Sequence, residues 1–550
     1  MTLGHADPQS NLFDDISQFC EKNLAKDSIY SFLRSEREHL FPDEAFSDLF
    51  TNDGRRSVPP SVVATVMVLQ RLSGLSDREA VERYTYDARW RYAAGVGSYD
   101  MGGWTGFAHT VLVDMRMRLR GSERPDRIFE VVLAGAKAAG LVGKKRVLDS
   151  TPLYDAVATM DTITLIRSAI RNLIKVADGP LVAELREVIT SGDDYATSSK
   201  PIIDWDDTLA REALIDSRAK DAYACLAVLE GRELADQISE AANLVATVVG
   251  QDLEDAGDGT FRIARKVAKD RIISIVDPEA RHGHKTSAHS FDGYKGHIAI
   301  DPDSEIITAT VVTPGNAGDA SVAKELITDL CKDTALTSST GTDSNSGPGP
   351  AADSSSNPDG DDPATVYGDA AYGTGEIQSF LGEQNISSKC KTQPPVAKNG
   401  FFTKDSFSID LEADTVTCPG MVTVSISRLK DGSGVAKFAK SCTACSLAGC
   451  CTASVIGRKI RIGINEVALT RARTEQSSAE WRMDYRGTRP KVERKLAHLM
   501  RHRHGGRRSR VRGRLRIDAD FSLLCATTNL ARLAKLGISS ISHSQWAMSP

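Results

Sequence analysis

The chain has 550 residues, 41% of them hydrophobic and 26% charged, with a net charge of −5. That length allows three or four domains and a core that needs no disulfide frame, and the composition excludes a collagen, a disulfide mini-domain and a mostly disordered chain. The longest apolar run, Val62 to Leu69 with Thr65 inside it, is far short of the roughly 20 residues of a membrane span. The first residues, MTLGHADPQSNLFDD, show neither a basic nor an apolar region, so no signal peptide is expected and a cytoplasmic protein is.

In chain order, residues 1 to about 130 read as helical. Pro59-Pro60-Ser61 opens an apolar helix, Gly74 stops it, and Ser76-Asp-Arg-Glu79 forms a capping box for the next, with Leu75 as its staple residue. This layout suits a helix-turn-helix as well as any αα-hairpin, and Arg78, Arg83, Arg89 and Arg91 follow the turn. Arg146 to Leu153 reads as a strand carrying Asp149. From 155 to 265 the helical period returns, with Ile163, Ile166, Ile170, Leu173 and Ile174 on one face, as in an inserted helical unit.

Strands are then expected at Arg271–Val276, Tyr294–Ile300 and Glu305–Val312, the last two joined by the Asp301–Ser304 turn, with a helix from Asp319 to Leu330. Residues 333–363 are low-complexity linker. Thr365 to Gly375 reads as a strand ending at Asp369 in a Gly-rich turn, a cysteine-bearing subdomain occupies 400–470, and helices start near Pro490 and Phe521.

Two compositional features point to chemistry. Five of ten cysteines lie between 418 and 451. Cys418, Cys442, Cys445 and Cys450 could place four thiolates round a zinc ion, and a small β subdomain with reduced, partly buried thiols fits the same spacing. From Arg482 to Arg516, fourteen Lys/Arg face only Asp484 and Glu493, a local +12 that leaves −17 on the rest. Such a strip is an electrostatic footprint for phosphate backbones. The side chains assigned to DNA are Arg489, Lys491, Arg494, Arg501, Arg503, Arg507, Arg508, Arg510 and Arg512.

Asp149 and Asp369 close apolar strands, and Glu493 lies on the helix inside the strip. Carboxylates brought together in poor solvent need a cation, and hard oxygen ligands suit Mg²⁺ or Mn²⁺. Two such ions serve phosphoryl transfer. Asp155, Asp161, Asp277 and Asp319 compete for the role, Asp319 reading rather as a helix N-cap. His282, His284 and His289 read as a polar loop, and Trp104 and Trp481 as packing or base-stacking residues.

Residues 41–92, VLDSTPL (147–153), GYKGHIAID (293–301), TPGNAGD (313–319), VYGDAAYG (366–373) and the Arg489/Glu493 helix follow one another in the order found in bacterial insertion-sequence transposases of the DDE type, and the chain resembles that family over most of its length. The resemblance implies an α/β (mixed) fold: a ribonuclease-H-like core with a mixed five-stranded sheet, preceded by an all-helical DNA-binding and oligomerisation domain (1–135). The catalytic domain would span 140–536, interrupted by the 155–265 and 400–470 insertions, with 537–550 a tail. It implies Asp149, Asp369 and Glu493 as catalytic ligands of two Mg²⁺ ions, and Arg489 as the arginine of the family's Tyr–Arg–Glu–Lys signature. Tyr485 lies one residue too far from that arginine, and the lysine position falls near Met500 and Arg501. It further implies cleavage at element ends, joining to target DNA, and a dimer or higher oligomer on double-stranded DNA. A nuclease of the same fold, or a catalytically inactive DNA-binding derivative, would share these features.

Overall fold

A computed structural model describes residues 1–5, 15–97, 106–155, 160–286, 289–331, 363–396, 400–542 and 545–548. The 333–363 linker, but for its last residue, and Trp104 lie outside the described residues.

The N-terminal region is helical, as expected. Pro60 supplies the pre-set φ of a first helical position in Pro60–Ser73, and nearly all of this helix is buried. Gly74 ends it with φ 66°, a left-handed conformation that costs glycine nothing. Ser76 and Glu79 then cap helix Asp77–Tyr86 reciprocally: the Glu79 amide donates to Ser76 Oγ (3.3 Å) and the Ser76 amide to Glu79 Oε2 (2.7 Å), an arrangement worth about 1 kcal/mol.

The central sheet has six strands in the order Arg281–Thr286, His289–Ile300, Lys145–Tyr154, Thr365–Gly368 and Ser387–Cys390, with Ile307–Pro314 also on His289–Ile300. The strands on either side of Thr365–Gly368 run parallel to it, and the remaining pairings are antiparallel. It is the mixed, curled sheet of a ribonuclease-H-like core, one strand larger than expected.

Three elements differ from the sequence reading. Arg271–Val276 is not a strand; its backbone is irregular, and Ile272 and Ile273 are buried without a ladder. The edge strand is instead Arg281–Thr286, so His282 and His284 sit on a strand and not in a loop. Its apolar content is nil, because an edge strand with a solvent-facing side needs no hydrophobic alternation. The expected helix from Asp319 breaks into short 3₁₀ and α turns.

Helices Thr162–Val176, Gly179–Glu187, Thr208–Leu229 and Asp236–Asp252 form the insertion around their own core, in which all five predicted isoleucine and leucine positions are buried. The cysteine region is a five-stranded antiparallel sheet from Ser408 to Ile462. The helical N-terminal region is not a separate body. The long helix Arg514–Lys535 packs against Pro60–Ser73, Arg127–Ala138 and strand Ile307–Pro314. One hydrophobic cluster therefore runs from Val62 and Met67 through Leu524 and Leu530 to Ile298 and Ile307. In the segment read as tail, strands Ile538–Ser542 and Gln545–Met548 pair antiparallel and lie on helices Ile29–Leu40 and Arg127–Ala138. Among the described residues no helix is long and apolar enough to cross a membrane.

His297 is fully buried in this sheet, its Nε2 2.9 Å from Thr313 Oγ1 and its Nδ1 3.4 Å from the Tyr372 hydroxyl. Burial holds its pKa down at about 4. The unfolded chain takes up this proton below its ordinary value and the folded chain does not. Stability is therefore complete above roughly pH 6.5 and falls, by on the order of 3 kcal/mol, as pH drops towards 4. Denaturant titrations at pH 7 and pH 5 should show this loss in the wild type and a shallower one in His297→Gln.

Candidate active site

Asp149 and Asp369 are brought together by strand register. Lys145–Tyr154 and Thr365–Gly368 are parallel, with Val147 opposite Tyr367. Two residues further along each chain stand Asp149 and Asp369. Apolar residues hold the strand leading to each acid: Val147, Leu148, Val366 and Tyr367 are buried. The turn after Asp369 depends on its glycines. A Cβ on Gly368 would lie 2.8 Å from Tyr372 Cβ, and one on Gly373 2.0 Å from the Lys391 carbonyl oxygen. The Ala371 amide donates to Asp369 Oδ1 (2.9 Å), fixing that carboxylate at the strand end.

Asp149 is the buried partner. Burial raises its pKa to about 6 and the negative charge of Asp369 adds to the rise, against the opposing pull of Arg489. Arg489 is itself buried. Its Nη2 lies 3.0 Å from Asp149 Oδ1 and its Nη1 3.6 Å from Glu493 Oε1. Glu493 is one helical turn beyond Arg489 on Pro490–Leu499 and its side chain is 63% exposed. The three acids thus share the neighbourhood of one guanidinium, while Glu493 stands at its outer rim. Among the described residues, no group of three or more His, Cys, Asp or Glu is arranged to hold a metal ion. The Asp149–Asp369 pair fits a cation by its mutual repulsion; Glu493 does not yet close on it. Arg489 Nε and Nη1 are buried without a hydrogen-bond acceptor.

Tyr485, off the expected spacing, lies at the site all the same. Its hydroxyl donates to the Gly368 carbonyl (3.3 Å), and its ring stacks on Trp481 at 4.9 Å. Trp481 is therefore a packing residue.

Asp319 is not an N-cap; Gly318 holds that position and no side chain caps the turn. Its carboxylate instead accepts from Ser150 Oγ (2.6 Å) and from Lys295 Nζ (2.8 Å), which also donates to the Ala317 carbonyl. Tyr372, buried nearby, has its hydroxyl pKa pushed well up by burial and then by Asp319, Asp149 and Asp369. Asp319 is thus a fourth acid at this place, which the sequence reading set aside. Asp161 caps helix Thr162–Val176, and Asp277 accepts from the Tyr294 hydroxyl (2.6 Å) and the Gly513 amide (3.0 Å). Asp155 is buried.

The basic strip divides into two sets. Arg489 faces carboxylates, Lys491 pairs with Asp303 (3.2 Å) and Arg494 with Glu305 (2.5 Å). Arg510 donates to the Leu75 carbonyl and Arg503 Nε to His504. Arg501, Arg507, Arg508 and Arg512 are exposed. The strip lies against the turn after Pro60–Ser73: Arg71 donates to the His504 carbonyl and His504 Nδ1 bonds the Leu72 carbonyl. Of the arginines near that turn, Arg91 is buried and donates to the Gly97 carbonyl (2.8 Å), and Arg83 and Arg89 pair with Asp87 (3.7 and 2.6 Å).

In the cysteine region, Cys418, Cys442, Cys445 and Cys451 line one cavity of about 20 Å³. Cys450 is exposed and does not line it. Burial, then the neighbouring Cys442, Cys418 and Cys445 thiols, push the Cys451 thiol up. The Arg458 amide donates to Cys442 Sγ (3.4 Å).

Comparison with known families gives two matches. Residues 417–534 match a family described as Transposase DDE domain, and residues 18–118 one described as Transposase domain (DUF772). Glu493 and the strip lie inside the first segment; Asp149 and Asp369 lie outside both. No curated protein and no solved structure matches the chain.

Proposed function

We propose that this chain, which carries transposase-family domains on either side of a ribonuclease-H-like sheet, cuts the ends of a bacterial insertion sequence and joins them to target DNA. The observation that carries the reading is the gathering of Asp149, Asp369 and Glu493 about one buried arginine, just beyond the parallel pairing of two strands. Asp149, Asp369 and Glu493 would hold two Mg²⁺ or Mn²⁺ ions, which would supply positive charge to the attacking and leaving oxygens of a phosphodiester. Arg489 holds Asp149 in place, and its Nε and Nη1, which hydrogen-bond no acceptor although Nη1 lies 3.6 Å from Glu493, could turn to a phosphate oxygen. Tyr485 fixes the strand end that bears Asp369. The exposed Arg501, Arg507, Arg508 and Arg512 supply charge for the DNA backbone. On this reading the enzyme works as a dimer or larger oligomer on double-stranded DNA, in the cytoplasm at the nucleoid.

The test is to incubate the purified protein with labelled DNA from either flank of its coding sequence and a target plasmid, with Mg²⁺ or with EDTA. Metal-dependent nicking and joining supports the reading. Cutting without a joined product would make it a nuclease of the same fold. Binding with no cleavage would favour the inactive DNA-binding derivative, a reading that the outward position of Glu493 also fits.

For the thiols we propose a structural zinc ion held by Cys418, Cys442, Cys445 and Cys451 once deprotonated, with Cys451 in the place expected of Cys450. Metal analysis of the purified chain should find stoichiometric zinc, lost in Cys442→Ser and Cys451→Ser and retained in Cys450→Ser.

A further inference from the structure

A second basic surface lies away from the C-terminal strip. Between the helical insertion and the edge strand Arg281–Thr286 opens a cleft of about 560 Å³. Lys266, Lys269, Arg281, His282, His284 and Asn316 line it. Residues 262–285 contain seven Lys/Arg against Asp270, Asp277 and Glu279. Local pairing removes part of that charge. Arg262 pairs with Glu254 (2.9 Å) and Arg271 with Asp252 (2.6 Å), whereas Arg281 donates to the neutral Ala280 carbonyl (3.0 Å) and keeps its charge. Asp277 accepts from Tyr294 and Gly513 and Asp270 from Asn316 Nδ2 (2.8 Å), neutral donors that supply no countercharge, and Asp292 pairs with His282 (2.7 Å). Arg265, Lys266, Lys269 and Lys285 remain, all exposed and with no ion-pair partner among the described residues. Lys266 and Lys269 lie on the cleft wall, with Arg265 and Lys285 next in sequence to lining residues, and unpaired cations of one sign along a cleft focus a field that attracts an anionic polymer.

The cleft is joined to the carboxylates through one loop. Asn316 lines it, Ala317 accepts from Lys295, and Asp319 accepts from both Lys295 and Ser150, the neighbour of Asp149. A strand entering the carboxylate site and passing this loop would meet Lys269, Lys266 and the His282–His284 pair, whose rings stand edge to face at 5.0 Å.

We infer that the segment after the helical insertion, with Lys266 and Lys269, and the Arg281–Thr286 strand form a second phosphate-binding groove, which holds the DNA backbone beside the carboxylate site. The inference rests on the proposed function for its choice of polymer. The insertion supplies one wall of the groove, through Thr162, Gln251 and Ile263, and the segment that follows it supplies the charge.

The test uses the full chain bearing Asp149→Ala, in EDTA, so that no cleavage enters the readout. Its affinity for a labelled 30-base-pair duplex and for the matching single strand is measured over a salt series. In K266Q/K269Q/K285Q, binding at about 0.1 M salt should weaken tenfold or more, and the salt slope should fall by about 0.9 for each phosphate that the lysines no longer neutralise. The form of DNA that shows the larger change is the one the groove holds. A control, K430Q/K437Q in the cysteine region, should keep the parent's slope. Unchanged affinity and slope in the triple variant, with melting temperature also unchanged, would overturn the groove while leaving the proposed function standing. An equal loss in the control would reduce the effect to net charge and also overturn it. If the parent binds no DNA in either form, the proposed function itself falls.

Discussion

Asp149→Ala and Asp369→Ala are each expected to lower metal-dependent strand cleavage by about a thousandfold or more, a barrier increase on the order of 4 kcal/mol, while DNA binding in EDTA persists. The separation of the two effects follows from the geometry. Neither acid is part of the exposed basic surface; Asp369 follows its strand and Asp149 pairs with Ile298 through the main chain, so truncating either side chain leaves the ladder intact. What is lost is the negative charge that would place cations against the scissile phosphate. Glu493→Ala should produce a loss of the same order, since the helix that carries it must close on the pair for the site to be complete. If cleavage survives Glu493→Ala but not Asp319→Asn, the third acid is Asp319, which already reaches the hydroxyl beside Asp149. Single-turnover nicking of labelled DNA, with binding followed in parallel, decides between the two.

The second large effect is on stability. Arg71→Ala is expected to destabilise the fold by about 3–5 kcal/mol, read as a lower midpoint in urea. Arg71 is 3% exposed on helix Pro60–Ser73. Its Nη2 lies 3.1 Å from Asp520, and its Nη1 donates to the His504 carbonyl. Truncation strands a half-buried carboxylate and a carbonyl at the seam between the N-terminal helices and helix Arg514–Lys535, and opens a void in the same place. Arg71→Lys keeps the charge but cannot serve both acceptors with one planar fork. It should recover only part of the loss.

Local signals were the legible part. The Pro60 start, the Gly74 stop, the Ser76 capping box and the isoleucine face of 163–174 each depend on residues within a turn or two of one another, and each forms as read. Asp149 and Asp369 could be singled out because an acid after a short apolar run is visible in a few residues, although the first strand runs on past Asp149 to Tyr154. Their adjacency could not, because it depends on a parallel pairing between segments more than 200 residues apart. The edge strand Arg281–Thr286 escaped for the opposite reason: polar and exposed, it owes its conformation to the backbone bonds of its neighbour. Gly74 shows both sides at once. It reads as a helix stop, yet a Cβ there would also lie 2.6 Å from the Arg503 carbonyl oxygen, a constraint from a residue far along the chain. That Cys451 lines the thiol cavity and Cys450 does not likewise turns on which way a short helical turn faces.

The hydrophobic cluster shared by Pro60–Ser73 and Arg514–Lys535 bears on how the protein is made. During synthesis the N-terminal helices emerge first, with Val62, Val66 and Met67 lacking the helix that will cover part of their surface. That cover arrives only after some 450 further residues have been translated, by which time the insertion, with its separate core, can already have closed. A nascent chain therefore carries sticky, unfinished helices through most of its elongation, and a product of premature termination never finishes them. A chain cut short before Arg514 is therefore expected to leave part of this cluster exposed, the condition that invites aggregation and proteolysis.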